Sequence, residues 1–540
     1  MQRKFSGRVN WVNRQSWKCD GRNDVEQAPP ASGMRQLAGT TAIYDLPEYR
    51  NNRCTGGLTP LRSPLLSFTT QSPIRPLDFC NTANQRSSPS KEAPMKPSLF
   101  LLLAASCLIP ALTTASADDI ASIALPATDD GLPGAGPIRR YDWFRGLWKE
   151  RHATWAKRIE QDQNAVVFLG DSITQGWGDD LQGAFPGLKA ANRGISGDTT
   201  RGMLIRLKED VLDLNPTGVV MLMGTNDLEE KAEPQTIADN VQLIIAELKK
   251  HNPDMPIVLC QVFPSSASKS RPADKIKEIN RLCAKVVQGD PQITVLETWP
   301  LFANEHGDAK VEEMPDLLHP NNVGYAKWAG ALRPILATLG FIETEADDFQ
   351  TEPGFVSLFN GKDLTGWGYR VTPEKSREGA LKWMASDSTV VWPFVDEPVS
   401  FNGKPVTSEG RYRAINGRLV VTTPPEGRKI QQLYTTQDFG GNFTLKLEFR
   451  ATPNADSGVF IREPQLQCRD FPLAGPYKEL KNFRSGDWNE LVVIAKNGVA
   501  HCTCNGEVIE EAFKIPATGP IGLEGDKGQM EYRRIRISQQ

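Results

Sequence analysis

Between residues 140 and 340, short apolar runs alternate with longer stretches whose apolar residues recur at helical spacing. Val166–Leu169, Val219–Met223, Ile257–Val262 and Ile293–Leu296 are almost wholly apolar, which predicts strands buried on both faces. In TIADNVQLIIAELKKH, Ile237, Val241, Ile244, Ile245 and Leu248 share one helical face. In ADKIKEINRLCAKVV, Ile276, Ile279, Leu282 and Val286 do the same. Strands of this kind separated by helices predict a parallel sheet with helices on both sides, a three-layer α/β domain. Such sheets bind ligands beyond the carboxyl ends of their strands.

The pattern changes after residue 340. FIETEADDFQTEP, residues 341–353, is acidic and polar and reads as a linker. Beyond it, Asn-Gly recurs at 360–361, 402–403, 416–417, 497–498 and 505–506, a pair favoured in tight hairpin turns. NFTLKLEFR alternates Phe443, Leu445, Leu447 and Phe449 with polar residues, and LVVIAKNGVAHCTCNGEVIE carries two hairpin turns in succession. Residues 354–540 are therefore expected to form an antiparallel, all-β sandwich.

The N-terminal region follows neither pattern. Residues 1–94 are rich in Arg, Ser, Asn and Pro and are expected to be disordered. Residues 95–117, MKPSLFLLLAASCLIPALTTASA, have the three parts of a secretory signal: a lysine, an apolar run too short to span a bilayer, and a small-x-small site ending at Ala117. Pro110 interrupts the run and it has no polar face, which disfavours a buried helix. Translation is thus expected to begin at Met95, with 1–94 a start-site artefact. The mature chain would be exported, periplasmic or extracellular, without stable membrane insertion. A lipoprotein linked through Cys107 is the alternative.

Composition narrows the function. The 540 residues accommodate roughly three domains at ~150 residues each. A net charge of −3 gives no reason to expect a nucleic-acid partner. Nine cysteines are too few for a disulfide scaffold. The mature chain would keep Cys260, Cys283, Cys468, Cys502 and Cys504, an odd number that leaves at least one thiol unpaired.

VVFLGDSITQGW puts Ser172 where an apolar strand stops. Alone, this serine is either the N-cap of the next helix or a nucleophile. A nucleophilic serine needs a base, and the chain has five histidines. His319, in DLLHPNNVGY, has Asp316 three residues before it, a spacing that lets a carboxylate hold an imidazole in one tautomer. Pro320 keeps His319 out of helical angles, so the pair belongs to a loop before a helix. His152 lies in an amphipathic Trp-rich stretch, His251 at a helix C-terminus and His306 in a polar loop. His501, Cys502 and Cys504 resemble metal ligands, but on one strand His501 points away from both cysteines, and no metal is expected. Two further loops follow strands. ANRGISGDTT offers Gly194, where backbone approaches closely, and MGTNDL offers the amide of Asn226.

Together GDSITQGW, NRGISGD, GTND and DLLHP resemble the four blocks of the SGNH/GDSL hydrolase superfamily, in that family's order, over residues 140–340. TWPLF before the last block and GYAKWAGAL after it are similar to the branch of platelet-activating-factor acetylhydrolase subunits and carbohydrate acetylesterases. The resemblance implies a flavodoxin-like α/β fold and a serine esterase without cofactor. It implies Ser172 as nucleophile, His319 as base and Asp316 as its orienting acid. The N–H groups of Ser172 and Gly194 and the side chain of Asn226 match the oxyanion hole.

GFVSLFNGKDLTGW, DSGVFIRE, WNELVVIAKNGVAHCTCNGEVI and GPIGLEGDKGQMEYRRIRI resemble the 3-keto-disaccharide hydrolase family, which implies a concanavalin-like jelly-roll sandwich. Members often carry a Gln-x-His-like segment after the Gly-Leu of the last motif. Here Gly522-Leu523 runs into Glu524-Gly525-Asp526 with no histidine. Asp456, Arg462 and Glu524 are the polar candidates for a glycan-facing surface, with ordinary strand-end residues as the alternative. Three functions are therefore expected to compete: an exported esterase that removes acetyl or other short acyl groups from carbohydrate, a lipid acetylhydrolase, and a glycan-binding or glycoside-acting protein led by residues 354–540.

Overall fold

The computed structural model describes residues 123–343 and 347–540. The expected signal segment at 95–117, with Cys107, and residues 1–94 lie outside the described residues. Five strands form one parallel sheet: β1 (Val166–Gly170), β2 (Ala190–Gly194), β3 (Gly218–Leu222), β4 (Ile257–Cys260) and β5 (Ile293–Leu296). Their order is β2-β1-β3-β4-β5, so the chain reverses direction across the sheet beside β1. Because side chains alternate along a strand, Val167, Leu169, Val219 and Met221 enter one core, while Val166, Phe168, Val220 and Leu222 enter the other. Helices cover both, including α5 (Pro234–His251) and α6 (Ala273–Val286) on the first face and α7 (Asn322–Thr338) on the second.

The periodic segments take the forms their patterns predict. β2 does not: Ala-Ala-Asn-Arg-Gly has no strand signature, yet it is an edge strand of the sheet. Tertiary partners hold it. Arg193 reaches Asp162 at 2.9 Å and the Asp210 carbonyl at 3.0 Å, and Asn192 donates to the carbonyls of Thr174 and Gly178.

Residues 354–540 form two antiparallel sheets of eight and six strands around one core. Phe443, Leu445, Leu447 and Phe449 of one sheet meet Leu433, Val459, Ile461 and Leu523 of the other. The linker is held against the sandwich rather than free: Glu352 pairs with Arg536 and Asp347 with Arg534. Contacts also join the two folded regions. Asn454 donates to Glu297 at 2.6 Å, and Gln529 donates to the carbonyl of Pro334 at 3.0 Å, inside α7. Among the described residues, no helix is long and apolar enough to cross a membrane. Cys260, Cys283, Cys468, Cys502 and Cys504 are all buried free thiols. On the strand Val499–Cys504, Cys502 and Cys504 face the core and His501 faces outward.

Candidate active site

β1 ends at Gly170, and Ser172 opens the short helix α2 (Ser172–Gln175). The cap is not Ser172 but Asp171, whose Oδ1 accepts the N–H of Ile173 at 2.9 Å. This frees the Ser172 hydroxyl. Burial pushes the Asp171 carboxyl up to about 6, opposed by the Ile173 amide and by His319 and Arg271. Gly170 is required by proximity: a Cβ there would stand 2.1 Å from Thr174 Oγ1 and 2.7 Å from the Leu222 carbonyl.

His319 and Ser172 are 147 residues apart, and α7 brings them together. The helix starts three residues after His319 and packs on the segment that follows Ser172. Tyr325 donates to the Ile173 carbonyl at 2.9 Å, and Trp328 stacks on Trp177 at 4.4 Å between centroids. His319 Nε2 then lies 2.9 Å from Ser172 Oγ. On its other side, His319 Nδ1 lies 2.7 Å from Asp316 Oδ2. Asp316 Oδ1 also accepts the amides of Leu318 and His319, at 3.0 and 2.7 Å. Partial burial acts to raise the Asp316 carboxyl, but these bonds and the imidazole hold it below its ordinary range. The turn needs Leu317 at φ +63°, an uncommon angle for a residue with a side chain, and Ser265 holds the Leu317 carbonyl at 2.8 Å. The pair is open to solvent, with the His319 and Asp316 side chains 43% and 47% exposed.

The loops after β2 and β3 complete the rim. Asn226 lies in the first turn of α4 (Thr225–Glu229) and is buried. Its Oδ1 accepts Arg271 Nη2 at 3.0 Å, and its Nδ2 donates to the Asp198 carbonyl at 3.0 Å, leaving one amide hydrogen. Gly194 differs from the expectation. Its N–H donates to Asn192 Oδ1 at 2.9 Å, so this amide is already engaged. Gly194 is a packing position: an added Cβ would stand 2.3 Å from the Gln175 nitrogen. Gly197, three residues on at φ +85°, precedes the residue whose carbonyl meets Asn226, and among the described residues no hydrogen bond engages its N–H. Its conformation and its neighbour Trp143 both exclude a side chain.

A buried ionic cluster ties down the ends of β1 and β2. Arg206 pairs with Asp198 at 2.8 Å and Asp210 at 3.0 Å, and donates to the carbonyls of Gly170 and Arg193. His152 belongs here and is fully buried: Nε2 faces Asp210 Oδ1 at 3.1 Å, and the ring lies between Trp148 and Trp155.

The sandwich residues separate. Arg462 is buried, and its guanidinium donates to the carbonyls of Phe439, Gly441 and Pro516, so it cannot face glycan. Each of its three nitrogens thus donates to a backbone carbonyl. Asp456 is ion-paired with Arg469 at 2.8 Å and with Arg428. Glu524 is buried beside it and accepts from Gln465; burial, with the charges of Asp526 and Asp456, pushes its carboxyl up to about 8. Among the described residues, no group of three or more His, Cys, Asp and Glu is placed to hold a metal.

Two segments of the chain are similar to known protein families. Residues 168–327 match the GDSL-like Lipase/Acylhydrolase family, and residues 354–538 match the 3-keto-alpha-glucoside-1,2-lyase-like domain. Platelet-activating factor acetylhydrolase IB subunit alpha1 of Rattus norvegicus is 28% identical over 201 residues, 36% of this chain and 84% of that protein. The alpha2 subunit of Bos taurus is 28% identical over 211 residues, 38% of this chain and 89% of that protein. A GDSL-like lipase from Bacteroides thetaiotaomicron, 26% identical, aligns with 35% of this chain and 97% of its own at a TM-score of 0.32. The chain joins a GDSL-like acylhydrolase domain, a hydrolase acting on esters, to a 3-keto-alpha-glucoside-1,2-lyase-like sandwich domain.

Proposed function

We propose that the protein is an exported serine esterase that removes acetyl or other short acyl groups from carbohydrate, with Ser172, His319 and Asp316 as its triad. The observation that carries this reading is the 2.9 Å contact of His319 Nε2 with Ser172 Oγ, backed by Asp316 at 2.7 Å. Asp316 accepts the Nδ1 proton, so Nε2 is the lone-pair nitrogen and takes the Ser172 proton as Oγ attacks the ester carbonyl. Negative charge then develops on the carbonyl oxygen. The free hydrogen of the Asn226 amide, the Ser172 N–H at the first turn of α2 and the Gly197 N–H serve as its donors, Gly197 replacing Gly194. His319 returns the proton to the departing sugar hydroxyl. It next deprotonates a water that releases the acyl group from Ser172.

The exposure of Asp316 and His319 supports a bulky alcohol and a short acyl group. In this reading the sandwich holds the glycan. Identity with platelet-activating factor acetylhydrolase subunits favours a second reading, in which the ester belongs to a lipid. Ser172→Ala and His319→Ala should each abolish turnover of p-nitrophenyl acetate; full activity in Ser172→Ala ends the proposal. Acetate release from acetylated xylan, compared with release from an acetylated phospholipid, separates the two readings. N-terminal sequencing of the native protein tests export: a mature terminus near Asp118 is expected, and one near Met1 would refute it.

A further inference from the structure

We propose that Tyr141 and Trp143 form a stacking platform for a sugar ring of the acylated substrate, beside the oxyanion side of the Ser172 site; this rests on the esterase reading above. Both side chains are about half exposed, at 52% and 53%, at the start of the helix α1 (Asp142–Ala156). Their rings stack at 6.2 Å and 13°. Large aromatic rings left in water beside a cavity are candidate binding surfaces rather than core. Here the cavity is about 550 Å³ and is lined by Arg139, Tyr141, Trp143, Glu229, Glu230 and Lys231.

The platform adjoins the reacting end of the sheet. A Cβ on Gly197 would stand 2.5 Å from the Trp143 ring and 2.9 Å from Arg139, so the ring lies against that loop. On the other flank, Glu229 follows Asn226 by three residues and accepts Arg271 at 2.8 Å, the same Nη2 that holds Asn226. Glu229 also pairs with Arg139, which reaches Glu230 at 2.7 Å. A ligand on the platform therefore touches the network that orients the Asn226 amide.

The chemistry selects a neutral, hydroxyl-rich ring. One face of a pyranose is apolar and suits Trp143, while its edge presents hydroxyls that both donate and accept. The rim supplies carboxylates that accept and cations that donate. A quaternary ammonium headgroup would also stack on aromatic rings and seek acidic groups. Here charge disfavours it: the Arg139 guanidinium 5.9 Å from the Trp143 ring centre repels a second cation, and arginine already neutralises Glu229 and Glu230, whose remaining lone pairs can still accept from neutral hydroxyls.

The test uses full-length Ser172→Ala, in which esters are not consumed, titrated with acetylated xylohexaose, acetylated mannohexaose and phosphocholine. Adding Trp143→Ala should weaken binding of at least one oligosaccharide roughly tenfold or more, and Tyr141→Ala should weaken it to a smaller extent. In the active enzyme, Trp143→Ala should raise KM for that sugar ester at least roughly tenfold more than KM for p-nitrophenyl acetate. Circular dichroism confirms folding, and Tyr141→Ala stands in if Trp143→Ala fails to fold. Unchanged oligosaccharide binding in both variants overturns the platform. So does phosphocholine binding that Trp143→Ala abolishes, which would assign the surface to a cationic headgroup. The esterase reading is scored separately, by whether Ser172→Ala abolishes p-nitrophenyl acetate turnover.

Discussion

Arg271 donates from Nη2 to Oδ1 of Asn226 at 3.0 Å. This contact decides which end of the Asn226 amide is available to a ligand. With the oxygen held by a cation, and one amide hydrogen on the Asp198 carbonyl, a single N–H remains. Asn226→Ala should lower kcat on the order of 10²–10³-fold, as loss of one oxyanion donor does. Arg271→Met should lower kcat roughly 10–100-fold by releasing the amide. In both, KM for p-nitrophenyl acetate should move much less than kcat. A variant of Arg271 with wild-type kcat would remove it as a positioning residue.

Asp316 Oδ2 lies 2.7 Å from His319 Nδ1, and in the esterase reading proposed above it keeps the ring proton there. Asp316→Asn keeps the shape but offers the ring an amide, which favours the wrong tautomer. We expect kcat to fall on the order of 10²–10⁴-fold with little change in folding stability. Steady-state kinetics and thermal unfolding on the same sample check both statements.

Arg206 compensates two buried carboxylates at once, Asp198 and Asp210. Arg206→Met leaves them in the interior with less compensation and frees the carbonyls of Gly170 and Arg193. The expected loss is about 3–5 kcal/mol in unfolding free energy. Urea denaturation measures it, and a loss under about 1 kcal/mol would contradict the role assigned to the cluster.

Glu524 gives a pH dependence of definite sign. Its carboxyl is pushed up to about 8 in the fold from an ordinary 4.5, so across that window the folded chain binds more protons than the unfolded one. Its contribution to stability is therefore full at low pH and falls as pH rises toward 8. Glutamine mimics the protonated form. Wild type should lose on the order of 2 kcal/mol more than Glu524→Gln between pH 6 and pH 8.5. Equal losses in denaturant titrations at the two pH values would refute a proton on Glu524.

Much of the architecture was legible along the chain. Apolar runs ending at Leu169, Met223, Val262 and Leu296 and amphipathic helices between them specify a parallel sheet, because the periods of burial differ for strand and helix. β2 was not legible, since Asn192 and Arg193 are buried by partners distant in sequence rather than by their own hydrophobicity. Gly194 and Arg462 show the same limit in function. A glycine at the end of a strand and an arginine in a turn carry no mark of whether their N–H groups are already taken.

The sequence by itself determined the two kinds of domain, their order, and the serine, histidine and aspartate that stand together. These rest on periodicity, on a tight Asp-Leu-Leu-His turn and on the position of Ser172 after a strand, all local properties. Only the tertiary structure decided which groups surround them. Asp171 rather than Ser172 caps α2, Arg271 rather than a near neighbour holds Asn226, and Trp143 meets Gly197. Hydrogen bonds and ring contacts are made at a few ångströms between segments tens of residues apart, and that distance is set by packing, which no local pattern encodes.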